Sequence, residues 1–406
     1  MESPLSTPTF PPPQSVAKKT RRFSKNLLIM LLIGLAIGVS IGYAVTYTDF
    51  NSKLTNLQSQ LGLDGGTGNS GANTQTYLLD DNISLATLYS AVKSSVVVIR
   101  DIITVHGMFG QQGNSMQQGS GFVTSVNGQK VIVTNNHVVE GAFNFTVTFS
   151  DGNSYPATVL GQDAKADLAV LSVPNIPSSA SGLTLVNSNT LSVGDPVIAV
   201  GSPYGLSGTL TTGIISALGR TIVETDDNGK ETQTIANTIQ TSTPINSGNS
   251  GGPLLNYAGQ VVGITTAGIS NSEGLGFAIP SSTIIRELPT LVSSGTYDQH
   301  PSIGTKGVDM NYQIAQAMGV SVTYGYLIET VSSNNGLQGG DRYQAILGDN
   351  VIVGGDIITA INSQRIANTD DLLSYLEQHT LPGQTVSFTV VRDGQTQNVQ
   401  VTIGKA

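Results

Sequence analysis

Cysteine is missing from this chain of 406 residues, and charged side chains make up only 11% of it. The missing cysteine excludes disulfide bonds, thiol nucleophiles and cysteine-ligated metal sites. The sequence contains no His-Glu-x-x-His segment and no nucleotide-binding motif, so it indicates neither a zinc protease nor a nucleotide enzyme. We therefore predict no metal and no cofactor.

Basic residues are scarce outside the N-terminus. The whole chain has a net charge of −9, and its first 26 residues hold five basic side chains and one acidic side chain. The rest of the chain carries 13 basic and 26 acidic residues, a net charge of −13. An acidic body of this kind argues against nucleic acid as a partner.

The N-terminal 76 residues differ in composition from the rest. Residues 1–26 are rich in Pro, Ser and Thr, which predicts a disordered cytoplasmic tail. Residues 27–47 carry no charge over 21 positions, enough for a transmembrane helix. A cleaved signal peptide is the alternative, but its apolar core is usually shorter, and no Ala-x-Ala site follows here. The basic flank predicts a single-pass anchor with its N-terminus inside, and residues 48–76 are expected to be a stalk and linker outside.

Short apolar runs separated by turn residues follow. After a helix predicted over Ile83–Val92, the pattern predicts these strands: Val96–Ile103, Gly121–Val126, Lys130–Thr134, Phe145–Phe149, Tyr155–Leu160, Leu168–Val173, Pro196–Val200, Thr209–Ala217, Thr234–Thr241, Pro253–Leu255 and Gln260–Thr265. Such spacing is typical of an all-β barrel or sandwich. Gly107–Gln118 is predicted to be a surface loop. A helix predicted from Ser281 is expected to end or kink at Pro289.

A serine between glycines is the candidate nucleophile. Ser250 lies in Asn-Ser-Gly-Asn-Ser-Gly-Gly-Pro, which begins at Asn246. A hydroxyl is a weak nucleophile until a neighbouring base takes its proton. Gly248 can adopt backbone angles closed to other residues, so the amides of Gly248, Asn249 and Ser250 can turn towards one point and stabilise an oxyanion. A glycine-rich turn between strands is the alternative for this segment taken alone.

One histidine and one aspartate upstream lie in sequence contexts that suit partners of Ser250. His137 follows an apolar strand, and its alternative role is that of a partly buried structural histidine. The other three histidines lie in polar, turn-like sequence: His106, His300 and His379. Asp167 precedes the run Leu-Ala-Val-Leu, where a buried carboxylate needs a partner such as an imidazole N–H. Asp163 is the rival, but its Gly-Gln-Asp-Ala-Lys setting predicts a solvated turn.

Taken in order, these segments resemble the HtrA/Deg family of chymotrypsin-like serine proteases. The resemblance is carried by Thr-Asn-Asn-His-Val-Val, Asp-Leu-Ala-Val-Leu, Gly-Asn-Ser-Gly-Gly-Pro-Leu-Leu-Asn and Gly-Leu-Gly-Phe-Ala-Ile-Pro, and it runs from about residue 83 to the C-terminus. It implies a mainly β fold, with a chymotrypsin-like pair of six-stranded barrels over residues 77–292 and one α+β PDZ domain over residues 302–404. It also implies a catalytic triad of His137, Asp167 and Ser250 between the barrels.

The resemblance also assigns a pocket for the substrate side chain. Its expected walls are Ile245, Thr265, Thr266, Ala267 and Gly268. No acidic residue is among them, so we expect an apolar rather than a basic side chain to be accepted there.

In the PDZ domain, the resemblance places a peptide-carboxylate loop at Tyr324, Gly325, Tyr326 and Leu327, continuing to Ile328. Thr369 is the predicted cap of the helix beside it. Residues 339–353 are longer than the family's usual turn, so this segment is a candidate cover for the groove.

Together these features predict an ATP-independent serine endopeptidase that cleaves unfolded or damaged proteins outside the cytoplasmic membrane. A signalling protease with one membrane substrate and a chaperone or binding protein are the alternatives. The expected partners are unfolded polypeptides, C-terminal peptides at the PDZ domain and the membrane through residues 27–47. Because family members are often trimers or multiples of trimers, a homo-oligomer is also expected.

Overall fold

The computed structural model describes residues 84–106, 112–201, 208–225, 231–246, 248–266 and 275–406. All of these lie within one compact unit, Thr74–Ala406. The predicted tail, transmembrane helix and stalk, residues 1–76, lie outside the described residues. Within the ranges above, no helix is long and apolar enough to cross a membrane.

The first sheet has seven strands in the order β5-β4-β1-β2-β3-β7-β6. They are β1 (Val96–His106), β2 (Gln112–Val126), β3 (Gln129–Thr134), β4 (Ala142–Thr148), β5 (Ser154–Pro156), β6 (Thr158–Asp163) and β7 (Leu168–Ser172). Helix α1 (Leu85–Val92) and a 3-10 turn (Lys93–Ser95) precede the sheet, and α2 (Asn136–Val139) follows β3. The expected six-stranded barrel is corrected to a seven-stranded sheet, because the predicted strand Tyr155–Leu160 is divided at Ala157 into β5 and β6.

The hairpin of β1 and β2 extends further than predicted. The two strands pair from Val96 opposite Phe122 to His106 opposite Gln112. The predicted surface loop at residues 107–118 is therefore wrong from Gln112 onward. The side chains from Ser115 to Gln117 are exposed, and a strand that buries neither face lacks the apolar alternation by which strands are recognised.

Strands β8 to β13 close into a six-stranded barrel in the order β10-β13-β12-β11-β8-β9. They are β8 (Pro196–Gly201), β9 (Thr209–Thr225), β10 (Glu231–Thr241), β11 (Pro253–Leu255), β12 (Val261–Thr266) and β13 (Gly276–Pro280). Along β8, Val197 and Ala199 pack inside the barrel, whereas Ile198 and Val200 belong to a core that includes Phe122 of the first sheet. Both faces of β8 are thus buried, and the barrel packs firmly against the sheet.

Helix α3 (Ser281–Ser294) runs through Pro289, so the proline does not end the helix, and the kink stays a prediction. Proline removes one backbone hydrogen bond, but Pro289 lies on the exposed face of the helix. The opposite face buries Ile284, Leu288 and Leu291, which keeps the helix docked on the protein. The helix ends at Gly295, whose φ of 84° is the left-handed conformation that glycine adopts readily.

The C-terminal domain is built on a sheet with the order β15-β16-β19-β21-β22, with β20 paired to β19. Its strands are β14 (Pro301–Ser302), β15 (Thr305–Asp309), β16 (Tyr326–Val331), β17 (Arg342–Ile346), β18 (Asp349–Val353), β19 (Ile357–Ile361), β20 (Gln364–Arg365), β21 (Thr385–Arg392), β22 (Gln395–Thr402) and β23 (Gly404–Lys405). Its helices are α4 (Tyr312–Met318) and α5 (Thr369–His379). Buried Ile328, Ile358 and Phe388 of the sheet pack against Leu372 and Leu376 of α5.

Two details of this domain differ from the sequence predictions. The cap of α5 is Asn368, whose side chain accepts the N–H of Asp371 at 2.9 Å, whereas the Thr369 hydroxyl donates to Asp309 at 2.5 Å. The long segment at residues 339–353 contains the β17–β18 hairpin. This hairpin buries Ile346 and Val351 in a cluster with α4 that contains no residue of α5.

Candidate active site

The aspartate and the histidine predicted to work together lie in direct contact. Asp167 Oδ1 and Oδ2 are 3.0 and 2.9 Å from His137 Nδ1, and Oδ1 also accepts the backbone N–H of His137 at 2.9 Å. The Asp167 side chain is 2% exposed and that of His137 is 34% exposed. This arrangement assigns the Nδ1–H tautomer to His137, which leaves Nε2 as the nitrogen that exchanges protons.

Two further side chains hold Asp167, and sequence reasoning missed both. Thr266 Oγ1, at the end of β12, donates to Asp167 Oδ2 at 2.8 Å. Asn135 Nδ2 donates to the Asp167 carbonyl at 3.0 Å. Asp167 has a φ of 51° in the turn between β6 and β7, so its backbone needs such support. No sequence signal reveals the partner role of Thr266, because its contact joins residues 99 positions apart.

The turn that carries Ser250 is held between the first sheet and the barrel. Ser120 of β2 donates its N–H to the Ser250 carbonyl at 2.8 Å and its hydroxyl to the Gly248 carbonyl at 2.6 Å. On the barrel side, the N–H of Gly251 donates to the Thr265 carbonyl at 2.8 Å. A Cβ on Gly251, where φ is 85°, would lie 2.0 Å from the Ser120 carbonyl oxygen, so only glycine fits.

The same contacts bring the serine turn next to the histidine. Thr134, three residues before His137, donates its hydroxyl to the Ser120 carbonyl at 2.7 Å. A Cβ built on Gly251, one residue after Ser250, would lie 2.5 Å from that same Thr134 oxygen. The segments that carry His137 and Ser250 therefore meet at one place, between the first sheet and the barrel.

The predicted oxyanion donors are not equivalent. The N–H of Asn249 donates to the Asn246 carbonyl at 2.9 Å. Because this amide already has a hydrogen-bond acceptor within the turn, the prediction that Asn249 is an oxyanion donor is wrong. Gly248 has a φ of 99°, a conformation that favours glycine. Gly248 and Ser250 are both buried in the turn.

The predicted pocket walls are only partly described. Ala267 and Gly268 lie outside the described residues, and Ile245 is half-buried. Thr265 and Thr266 are fully buried and use their hydroxyls within the protein, Thr265 on the Asn249 carbonyl at 2.6 Å and Thr266 on Asp167. Their hydroxyls therefore support the turn of the candidate nucleophile and Asp167 rather than a substrate side chain.

Comparisons with known proteins agree with this geometry. A family model described as a trypsin-like peptidase domain matches residues 119–264, and a PDZ domain model matches residues 333–403. The chain is 34% identical to a probable periplasmic serine protease of Haemophilus influenzae, over 72% of this chain and 60% of that protein. It is also 34% identical to the periplasmic serine endoprotease DegP of Escherichia coli K12, over 72% of this chain and 58% of that protein. The chain thus spans about three fifths of the length of these relatives.

Two solved structures of the HtrA-type protease AlgW align with most of the chain. The complex with a tripeptide is 30% identical, with a TM-score of 0.58, and the match covers 80% of this chain and 98% of that one. The complex with a decapeptide is 28% identical, with a TM-score of 0.57, covering 80% and 99%. This chain belongs to the HtrA family of serine proteases.

In this HtrA-family chain, the predicted carboxylate loop of the PDZ domain is wrong. Strand β16 lies inside the sheet, where Leu327 pairs with Val308 on one side and with Ile357 on the other. The amides of Gly325 and Ile328 donate to the Ala367 and Asp356 carbonyls at 2.8 and 2.9 Å. Amides that are already paired in this way cannot capture a peptide carboxylate.

Strand β15 instead forms one open edge of the PDZ sheet, since β16 is its sole neighbour in the described strand order. A groove of about 870 Å³ lies beside it. The PDZ residues that line the groove include Ile303, Thr305, Lys306, Tyr326, Leu373 and Leu376. Protease residues, among them Gln233 and Ile235, form the facing wall.

Two further predictions are corrected near this groove. His300 and Asp163 were expected in solvated turns, yet they are 3% and 5% exposed. They contact each other, with His300 Nε2 2.7 Å from Asp163 Oδ2. Sequence reasoning failed because their surroundings are polar, and the burial arises only when the PDZ domain packs on the protease domain.

Proposed function

We propose that this chain is a serine endopeptidase that works without ATP, with His137, Asp167 and Ser250 as its catalytic triad. The observation that carries the proposal is the buried Asp167 carboxylate, which faces His137 Nδ1 at 2.9 to 3.0 Å. Ser250 attacks the substrate carbonyl while His137 takes the serine proton and then returns it to the leaving amine. Asp167 fixes the imidazole tautomer and stabilises its charged form.

The backbone N–H groups of Gly248 and Ser250 are the proposed oxyanion donors. The positive φ of Gly248 supports this assignment, because it lets successive amides point to one side of the chain. Donors of this kind act on the charge that develops in the transition state, and removing one costs roughly two to three orders of magnitude in rate.

Unfolded or damaged polypeptides are the proposed substrates, in protein quality control outside the cytoplasmic membrane. The named relatives are periplasmic proteases, and residues 27–47 are charge-free behind a basic segment, which supports a membrane anchor with the protease outside. We also propose that the chain assembles into trimers or their multiples, as the family resemblance implies.

The proposed domains are a protease domain over residues 77–292 and a PDZ domain over residues 302–404, which binds peptide C-termini. An extended peptide would pair with the edge strand β15 and lie against α5. Ile303, Leu373 and Leu376 line this groove, so an apolar final side chain fits best. The new position replaces the one predicted at Tyr324–Leu327.

The experiment that tests this function is digestion of unfolded casein by the full-length protein. Wild type and a Ser179→Ala control, which alters an exposed serine, are expected to degrade casein equally, and Ser250→Ala is expected to leave it intact. Casein loss with Ser250→Ala would contradict the triad. If only one defined sequence is cleaved and casein is spared, the signalling protease replaces quality control.

A further inference from the structure

The β17–β18 hairpin stands apart from the main sheet of the PDZ domain. Its two strands form a sheet of their own, with Arg342 opposite Val353 and Ile346 opposite Asp349. The hairpin lies in the segment that is longer than the usual turn of the HtrA/Deg family, so the family resemblance assigns it no role. What the hairpin does must be read from its own residues.

The outer edge of β17 points backbone groups into the solvent. The N–H of Ile352 donates to Glu329 Oε1 at 2.8 Å, away from β17. Opposite residues of an antiparallel pair alternate between bonded and unbonded pairs. Tyr343, which lies opposite Ile352, and Ala345 therefore turn their N–H and C=O groups away from β18. No strand in the described ranges of the chain pairs with this edge.

The side chains beside this edge are apolar and exposed. Ile346 and Val351 are buried in the cluster with α4, so alternation along the strand places Tyr343 and Ala345 on the opposite, solvent-facing side. Tyr343 is 76% exposed, and Leu347 in the turn is 74% exposed. Leu347 has a φ of 55°, a left-handed conformation in which asparagine or glycine is usual. Turn chemistry thus does not account for a large apolar side chain at this tip.

Strand edges are normally guarded against pairing with other chains. Lysine, proline and β-bulges are common guards. The β15 edge carries Lys306, and its register with β16 is interrupted. Strand β17 contains neither lysine nor proline, and its register with β18 is unbroken. An unguarded edge beside exposed apolar side chains is a template for another strand.

We propose that the β17 edge pairs with the β17 edge of a second copy of this chain, antiparallel about a two-fold axis at Gln344. This register places Tyr343 opposite Ala345 of the second copy, and Ala345 opposite its Tyr343. The outward N–H and C=O groups of these residues then form four hydrogen bonds. Two-fold pairing joins two copies only, so it differs from the contact of the proposed trimers, and it does not depend on the proposed protease activity.

The side chains of β17 fit this register. Tyr343 meets the small Ala345 of the second copy, which leaves room for the ring, and Leu347 of that copy lies diagonally across, within reach of an aromatic side chain. Arg342 meets Ile346 rather than a second arginine, so no like charges are opposed. An extended segment of an unfolded polypeptide has no such fixed match, which favours a second copy as the occupant.

Neighbouring registers satisfy fewer backbone groups. An axis at Tyr343 would oppose Ala345 to Asp341, whose N–H already donates to the Val353 carbonyl at 3.0 Å. An axis at Ala345 would oppose Tyr343 to Leu347, whose left-handed backbone does not continue the strand. The paired strands have five residues each and cover far less than the roughly 1,000 Å² of a stable interface. We therefore expect a weak contact that depends on protein concentration.

The absence of cysteine from the chain makes this register directly testable. The full-length Ser250→Ala protein is used to avoid self-digestion. Gln344→Cys places two thiols across the axis, where the Cα atoms of an unbonded antiparallel pair lie about 4.5 Å apart, which suits a disulfide. Mild oxidation should link Gln344→Cys into dimers at least about tenfold faster than Gln397→Cys, which alters an exposed glutamine on the open edge strand β22.

Two further variants test the register and the edge. Arg342→Cys lies roughly 13 Å along the strand from its counterpart, so it should remain unlinked. Proline at Ala345 blocks the edge without breaking the hairpin, because the N–H that it removes points outward. Adding Ala345→Pro to Gln344→Cys should therefore slow dimer formation to the rate of Gln397→Cys, with an unchanged circular dichroism spectrum.

Each of the other outcomes contradicts the proposal. Equal linking rates for Gln344→Cys and Gln397→Cys would show random collision, and rapid linking of Arg342→Cys would reject the axis at Gln344. A folded Ala345→Pro variant that links as fast as its parent would show that the edge is not the contact. If Gln344→Cys links to an unfolded casein that carries a cysteine in preference to a second copy, the edge binds extended polypeptides instead.

Discussion

The described part of the structure contains two His–Asp pairs whose buried aspartates, Asp163 and Asp167, are only four positions apart in the sequence. In the pair His137–Asp167, the histidine contacts the carboxylate through Nδ1, and its side chain is 34% exposed. In the pair His300–Asp163, the histidine contacts carboxylates through both ring nitrogens, and its side chain is 4% exposed. The residue types are the same, but the surroundings differ.

The difference explains why the His137–Asp167 pair, and not the other, is the proposed catalytic pair. A general base needs one ring nitrogen oriented by a carboxylate and the other directed at the proton it moves. His300 uses both nitrogens on Asp163 and Glu377, which holds it as a buried cation. His137 contacts Asp167 through Nδ1 and its side chain is partly exposed, which suits the proposed proton transfer to and from Ser250.

The largest difference between the two pairs is expected from removal of the imidazole. His137→Ala should lower kcat/KM by roughly four to six orders of magnitude, because triad members act as a unit. His300→Ala should lower kcat/KM far less, because carboxylates hold both ring nitrogens of His300. Initial rates on a fluorogenic peptide provide the measurement, and equal losses from the two substitutions would show that the pairs do not differ in role.

A smaller loss of activity is expected when the hydrogen bond that Thr266 donates to Asp167 is removed. Thr266→Val keeps the shape of the side chain but removes a charge-assisted bond worth about 1.5 to 3 kcal/mol, which predicts a fall in kcat of about tenfold or more. Thr266→Ser retains the hydroxyl and should keep most of the activity. If the valine and serine variants have equal kcat, this bond plays no part in orienting Asp167.

The stability of the folded protein should decrease towards alkaline pH because of His300 and Glu287, which are buried where the PDZ domain meets the protease domain. His300 and Glu287 bind protons more tightly in the folded protein, so the free energy of unfolding should fall as pH rises from about 7 to 9. Denaturant unfolding of wild type should show this slope, and unfolding of His300→Arg should show a shallower one. A stability that rises over this range in wild type would contradict the raised pKa values.

A modest loss of peptide affinity is expected when a side chain that lines the PDZ groove is shortened. On the inactive Ser250→Ala background, peptides ending in Val, Ile or Phe should bind at micromolar strength, about −8 kcal/mol. Leu373→Ala, which shortens a groove-lining side chain, should weaken them about fivefold, and Tyr343→Ala on the exposed β17 strand should not. Calorimetry with free and amidated peptides checks the prediction, because equal binding of both forms would rule out carboxylate capture.

Much of the geometry of the proposed triad can be predicted from the sequence, whereas the contacts of the PDZ domain cannot. The strand before His137, the strand after Asp167 and the glycines around Ser250 are local patterns, and the structure joins His137 to Asp167 as predicted. The roles of Thr266 and Ser120 arise from contacts across 99 and 128 positions, which no local pattern reveals.

The prediction of the carboxylate loop is wrong for a related reason. Tyr326–Val331 has the sequence of a strand and is one, but whether its edges are open depends on which strands pair with it. Likewise, burial of Asp163 and His300 depends on the packing of one domain on another. Local sequence predicts an element, whereas the pairing of elements decides which of their groups remain available.

The most direct test of the account is covalent labelling of the full-length protein with a fluorophosphonate, which reacts with an activated serine. Mass spectrometry of the labelled peptide identifies the site, and the rate of labelling reports its activation by histidine. We predict a label on Ser250, formed at least about a hundredfold more slowly in His137→Ala and at the wild-type rate in the exposed-serine control Ser179→Ala. Labelling of another residue, or of Ser250 at an unchanged rate without His137, would contradict it.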